Sequence, residues 1–143
     1  MRHICYASYG KTIDLNVFYS IVDHANRKNA ALGVGGKISF QEQCITQILE
    51  GPDDVLGQLM DVIGRDERHE AIVIISDFSI ETTYFRKFGM SLVHPLDLAR
   101  HSIAISAASC PPRKDGDETR YVRALMRSMT PQGPDGAWRK AGA

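Results

Sequence analysis

Two short β-type runs, Lys37–Phe40 and Cys44–Leu49, stand three residues apart across Gln41-Glu42-Gln43, a hairpin spacing. An amphipathic helical pattern flanks this hairpin on each side, and that arrangement restricts the possible folds more than any other feature. Upstream, Phe18, Ile21, Val22 and Ala25 recur at i, i+3, i+4 and i+7, one face of a helix. Asp14 is its candidate N-cap, and Gly33 stops it at a C′ position. Downstream, Glu50-Gly51-Pro52-Asp53-Asp54 reads as a turn into a second helix, with Pro52 near N1 and acidic residues in the first turn. Val55, Leu59, Val62 and Ile63 form its apolar stripe.

Further strand patterns lie outside both helices. His3–Ser8 reads as a short strand before a turn at Gly10. Ala71–Ser76 is a continuous, largely β-branched run, the pattern expected of a central strand buried on both faces. Phe88–Val93 adds a fifth strand. The order predicts an α+β fold, ferredoxin-like βαββαβ with a fifth strand and both helices on one sheet face. The groove between those helices is a natural ligand slot.

After Pro95 a short C-terminal helical extension is predicted. Leu96–Ser106 forms one helix, Pro111-Pro112 breaks it, and Tyr121, Val122, Leu125, Met126 and Met129 mark a second. The apolar side of the second must cover the free sheet face or another subunit. Pro131–Ala143, with Pro131, Gly133, Pro134 and Gly136, reads as a disordered tail. The expected divisions are a domain over 1–94, an extension over 95–130 and a tail over 131–143.

Composition narrows the function classes. With 143 residues, 43% of them hydrophobic, the chain has material for one core. Its 17 Lys and Arg balance 17 Asp and Glu, so no positive excess favours nucleic acid or an anionic membrane. Cys5, Cys44 and Cys110 are an odd, unclustered set, which predicts a reduced, cytoplasmic protein. The five histidines join them in no metal-binding pattern, so no metal site is expected. The start Met1–Tyr6 has no signal-peptide core, and no apolar run is long enough to span a bilayer.

Two residues stand out for chemistry. Gln47 lies midway along an apolar strand, where its carboxamide needs both donors and its acceptor satisfied. By periodicity alone it reads as an outward-facing side chain on the solvated face. Tyr6, alone, reads as a core aromatic with a hydrogen-bonded hydroxyl. Tyr9-Gly10-Lys11-Thr12 supplies no arginine for the anion cradle of a small ferredoxin-like hydrolase such as an acylphosphatase.

Five segments in register alter these readings. They are Tyr6-Ala7-Ser8, Asn29 to Gly36, Gln47 to Pro52, Arg65 to His69, and Phe85 to Met90. Together they resemble the BLUF family, sensors of blue light using FAD, over about residues 2–93. The resemblance implies the same ferredoxin-like fold, with a noncovalently held flavin ring between the two helices. It matches Tyr6 to the photoactive tyrosine, Gln47 to the switching glutamine and Met90 to the methionine associated with signal output. Asn29 matches the asparagine at the polar edge of the ring, and Ile21 and Ile63 match the aliphatic pair that sandwiches it. Asp66, Arg68 and His69 match a polar stretch near the cofactor. Asp66 and His69 also read as an ordinary helix-end turn. Lys28 either reaches the flavin edge or points to water.

The departures are specific. Phe88 stands where the family often has Trp, which leaves signalling to Met90 or its strand. Val62 replaces a frequent Arg near the flavin. Lys37 and Thr46 are unusually polar for their strands and are expected to face solvent. The resemblance therefore implies a blue-light photoreceptor, not an enzyme, with FAD as cofactor. The roughly fifty residues beyond it are too few for a cyclase or phosphodiesterase domain. Output is expected to pass to a separate protein effector or regulator, or through a homo-oligomer. The rival reading is a BLUF-like interaction module that has lost light sensing.

Overall fold

The computed structural model describes residues 1–109, so the expected break at Pro111-Pro112, the helix around Tyr121–Met129 and the tail from Pro131 lie outside the described residues. Two units divide at Ala99/Arg100. The first unit holds β1 (Arg2–Gly10), α1 (Leu15–Ala31), β2 (Gly35–Gln41), β3 (Cys44–Gly51), α2 (Asp53–Gly64), β4 (His69–Ser79) and β5 (Gly89–Leu92). It also holds the first turn of α3 (Pro95–Ser109); the rest of that helix lies in the second unit.

The five strands form one sheet in the order β4-β1-β3-β2-β5. The first four are antiparallel neighbours, and β5 runs parallel to β2 at the far edge. This is the predicted α+β arrangement. Both crossover helices cover one sheet face. Phe18 and Val22 of α1 and Leu56 of α2 share a core with Ile4, Tyr6, Ile38, Ile45 and Leu49. The intervening strand residues face the other way, where Cys5 and Ile48 pack with Leu98, Phe85 and Val93.

Local chemistry explains the boundaries. Asp14 Oδ1 accepts from the Val17 backbone N–H at 2.8 Å and caps α1. Leu32 closes the helix, and Gly33 follows at φ +69°, a conformation that costs glycine little. Between β2 and β3, Gln41 pairs with Cys44, so the loop is the two residues Glu42 and Gln43. Both have positive φ, 50° and 65°, a turn whose twist matches the flanking strands.

Several sequence expectations are corrected. Ala71–Ser76 lies in β4, which is an edge strand and not a central one. Val73, Ile74 and Ile75 are 60%, 48% and 56% exposed. A β-branched run records a preference for extended backbone, but it carries no information about whether a strand has one neighbour or two. In α2, Pro52 stands next to N1 as expected, at the N-cap, but Leu56, absent from the expected stripe, is the fully buried side chain. Val62 is 53% exposed. Lys37 and Thr46 do not simply face solvent. They lie half-buried on the sheet face opposite the helices, with Lys37 Nζ 5.4 Å from the centre of the Phe85 ring. Burial pushes the Lys37 ammonium pKa down.

Candidate functional site

Between α1, α2 and the sheet lies a cavity of about 430 Å³, within the usual size range for small-molecule sites. Each wall follows from an element's periodicity. On α1, Ile21, Ala25, Lys28 and Asn29 recur at helical spacing and face it, with His24 beside them. From α2 come Leu59, Val62 and Ile63. The floor is the helix-facing set of strand residues: Tyr6 and Ser8 of β1, Ile38 of β2, and Ile45 and Gln47 of β3. Asp66, Arg68 and His69 close one end, between α2 and the start of β4.

Tyr6 and Gln47 are direct cross-strand partners. The Tyr6 hydroxyl donates to Gln47 Oε1, and Gln47 Nε2 donates to Met90 Sδ at 3.5 Å. All three side chains are buried, at 3%, 6% and 5% exposure. Gln47 therefore faces inward, and the outward reading from periodicity fails. Met90 lies behind Gln47 and is not part of the cavity lining. Its approach depends on Gly36, the residue opposite it on β2. A Cβ on Gly36 would stand 2.8 Å from Met90 Cε and 2.5 Å from the Ile48 carbonyl oxygen. The Met90 N–H donates to Asn26 Oδ1 of α1 at 3.0 Å.

Electrostatics keeps the Tyr6 phenol protonated. Burial raises its pKa most, and the nearby Asp66 and Cys5 raise it further. Asp66 is shaped by Arg68, whose guanidinium donates to both carboxylate oxygens at 2.5 to 3.1 Å, while the Arg68 N–H donates to Oδ1 at 3.0 Å. These bonds hold the carboxyl at a pKa of about 2.

Two polar groups around the cavity stand without hydrogen-bond partners among the described residues. Ser8 Oγ and His69 Nδ1 are buried and unpaired. Leaving such groups unsatisfied costs about 1–3 kcal/mol each, so the cavity is built to receive something polar at its rim.

The site thus brings together Tyr6, Ile21, Lys28, Asn29, Gln47, Ile63, Asp66, Arg68 and His69, with Met90 one shell removed. Sequence reasoning missed Ser8, Ser20, His24, Ala25, Ile38 and Ile45 as lining residues. Strand alternation from Tyr6 and Gln47 points to Ser8 and Ile45, and helical spacing from Ile21 points to His24 and Ala25. Phe88 is 54% exposed and does not line the cavity. Among the described residues no group of three His, Cys, Asp or Glu is placed to hold a metal ion. No helix among them is long and apolar enough to cross a membrane.

A family model described as sensors of blue-light using FAD matches residues 1–91. The chain belongs to the BLUF family. No curated protein matches it. Among solved structures it is similar to BlrB, a BLUF protein in its dark state, with 22% identity and a TM-score of 0.61 over 89% of this chain and 96% of that one. It is similar to BlsA in its photo-activated state, with 22% identity and a TM-score of 0.62 over 87% of this chain and 93% of that one. A bacterial light-regulated adenylyl cyclase gives 17% identity and a TM-score of 0.61 over 91% of this chain. The chain spans only 33% of that cyclase. At these identities the likenesses establish the BLUF fold.

As a BLUF domain the chain is a sensor of blue light using FAD. The cavity suits that cofactor. Ile21 and Ile63 come from opposite helices, as an aliphatic clamp on a flat ring requires. The unpaired Ser8 hydroxyl and His69 ring nitrogen, with the Asn29 carboxamide also in the lining, suit its polar edge.

Proposed function

We propose that this BLUF domain senses blue light through Tyr6 and Gln47, with FAD held noncovalently between Ile21 and Ile63. Asn29, Lys28 and the Asp66–Arg68–His69 stretch would hold its polar parts. When bound, the flavin supplies blue-light absorption and a strongly oxidising excited state.

The chain's own residues supply the response. Tyr6 is an oxidisable phenol, and its O–H already points at Gln47 Oε1, which can accept the proton as an electron leaves. Gln47 is a switch because its carboxamide has chemically opposite ends. In the present orientation Oε1 faces Tyr6 and Nε2 faces Met90. A half-turn or tautomerisation exchanges donor and acceptor. An oxygen facing Met90 Sδ would meet another acceptor, so the contact to β5 would be lost. No covalent bond is needed, so the change reverses in darkness. Phe88, exposed and outside the lining, leaves this route to Met90.

The observation that carries this reading is the chain of contacts from the Tyr6 hydroxyl at the cavity floor through Gln47 to Met90 behind it. The signal passes to a separate protein effector or regulator in the cytoplasm, with the sensor acting as a homo-oligomer without substrate turnover. Residues 1–94 form the sensing domain. No observation favours the rival reading of a blind interaction module. In the test, purified FAD-loaded protein is illuminated with blue light. Its flavin band should move to longer wavelength and recover in the dark. Tyr6→Phe and Gln47→Leu should each retain flavin and lose the shift. Normal photocycling in either variant overturns the assignment.

A further inference from the structure

A second cluster of buried polar groups lies on the opposite face of the sheet. Glu50 and His3 are cross-strand partners, and both are 0% exposed. Glu50 Oε1 stands 3.0 Å from His3 Nδ1. Its other oxygen, Oε2, accepts from the Thr83 hydroxyl at 2.7 Å and from the Tyr84 backbone N–H at 2.6 Å. The His3 ring is fixed in turn by stacking on Phe78, with centroids 4.6 Å apart. Thr83 and Tyr84 belong to the connection between β4 and β5. One carboxylate therefore joins β1, β3 and the segment that leads into β5. Burying a carboxylate is costly unless hydrogen bonds compensate, and here each oxygen has a partner.

The position of Glu50 relative to Gln47 gives this cluster a role. Both lie on β3, three residues apart, on opposite faces. Gln47 contacts Met90 on the cavity side, and Glu50 holds Thr83 and Tyr84 on the other. Strand β3 thus grips the stretch from 83 to 90 near both ends. Phe85, between them, packs close to Gly35 of β2 and under Lys37. We infer that Glu50 is a positioning residue: it anchors the β4–β5 connection so that Met90 stays in reach of Gln47, and this connection is the segment that loosens when the Gln47–Met90 contact breaks. This rests on the Tyr6–Gln47 reading. Two anchors on one short segment reinforce each other, because either one lowers the entropy cost of forming the other.

The test is amide hydrogen exchange on the full FAD-loaded chain, in darkness and under blue light, with dark recovery followed by flavin absorption. Glu50→Gln keeps the side-chain shape and removes the charge. In darkness it should raise exchange across 83–90 about tenfold, as expected for weakening hydrogen bonds to a charged acceptor. The β1 amides should remain protected, the light-induced band shift should persist, and dark recovery should change at least about threefold. Thr83→Val, which leaves β3 intact, should act in the same direction with a smaller effect, and it decides the matter if Glu50→Gln does not fold. Dark exchange across 83–90 equal to the parent in both variants overturns the anchor. An unchanged recovery rate in a variant with raised exchange overturns the link to signalling. A parent protein with no band shift overturns the Tyr6–Gln47 reading, and the dark comparison still judges Glu50 as an anchor.

Discussion

The Tyr6–Gln47 bond makes a quantitative prediction about stability, separate from its role in light sensing. Tyr6→Phe removes the only donor to Gln47 Oε1 among the described residues, at a site 6% exposed. The abandoned carbonyl should cost about 1–3 kcal/mol, with little change in apolar burial. Gln47→Leu removes the acceptor and leaves the Tyr6 hydroxyl without a partner, a penalty of the same order. The double variant has no abandoned polar group on either strand. Replacing both partners by apolar groups of similar shape is nearly neutral. The two penalties should therefore fail to add, with a coupling of about 1–3 kcal/mol in favour of the double variant. The assay is urea unfolding in the dark for all four proteins. Slopes of about 1–3 kcal/mol per molar urea turn 2 kcal/mol into roughly a 1 M difference in midpoint. FAD affinity is measured for each, and its contribution RT ln(1 + [L]/Kd) is subtracted. Additive single-variant effects would refute the reasoning, since the two side chains would then not share one buried bond.

Two further predictions concern the frame of the site. Leu56 is fully buried in the shared core beneath α2, so Leu56→Ala should destabilise the fold by about 2–5 kcal/mol in chemical denaturation. Asp66 has a folded pKa held near 2 by Arg68, below its ordinary value of 3.8, so its contribution to stability is present above pH 4. It fades as the pH falls from about 4 through about 2, and Asp66→Asn should flatten the melting temperature against pH over that window. An identical acid profile in the two proteins would separate Asp66 from Arg68.

Much of the architecture was legible because it depends on neighbours in the chain. Asp14 and Gly33 mark the ends of α1 through local backbone chemistry, and both act as expected. The βαββαβ order follows from alternating periodicities and the handedness of crossovers. Other features were not legible. Val62 and Leu56 lie six residues apart on one apolar helix, yet Val62 is half-exposed and Leu56 is fully buried. Periodicity cannot rank residues near the edge of a stripe, because the packed partner decides which of them is covered.

The sequence alone determined which residue types were available: an oxidisable phenol, a two-ended carboxamide, a thioether, and the aliphatic and polar residues that the cavity lining gathers. It also determined the order of strands and helices, because hydrophobic period and capping are local properties. Only the tertiary structure decided that Gln47 faces Tyr6 and not solvent, since strand register sets which face of β3 is buried. It also decided that Ala71–Ser76 lies at an edge, and that Glu50 reaches across to Thr83 and Tyr84. These are contacts between residues 33 or more positions apart, and no local pattern in the chain encodes such a distance.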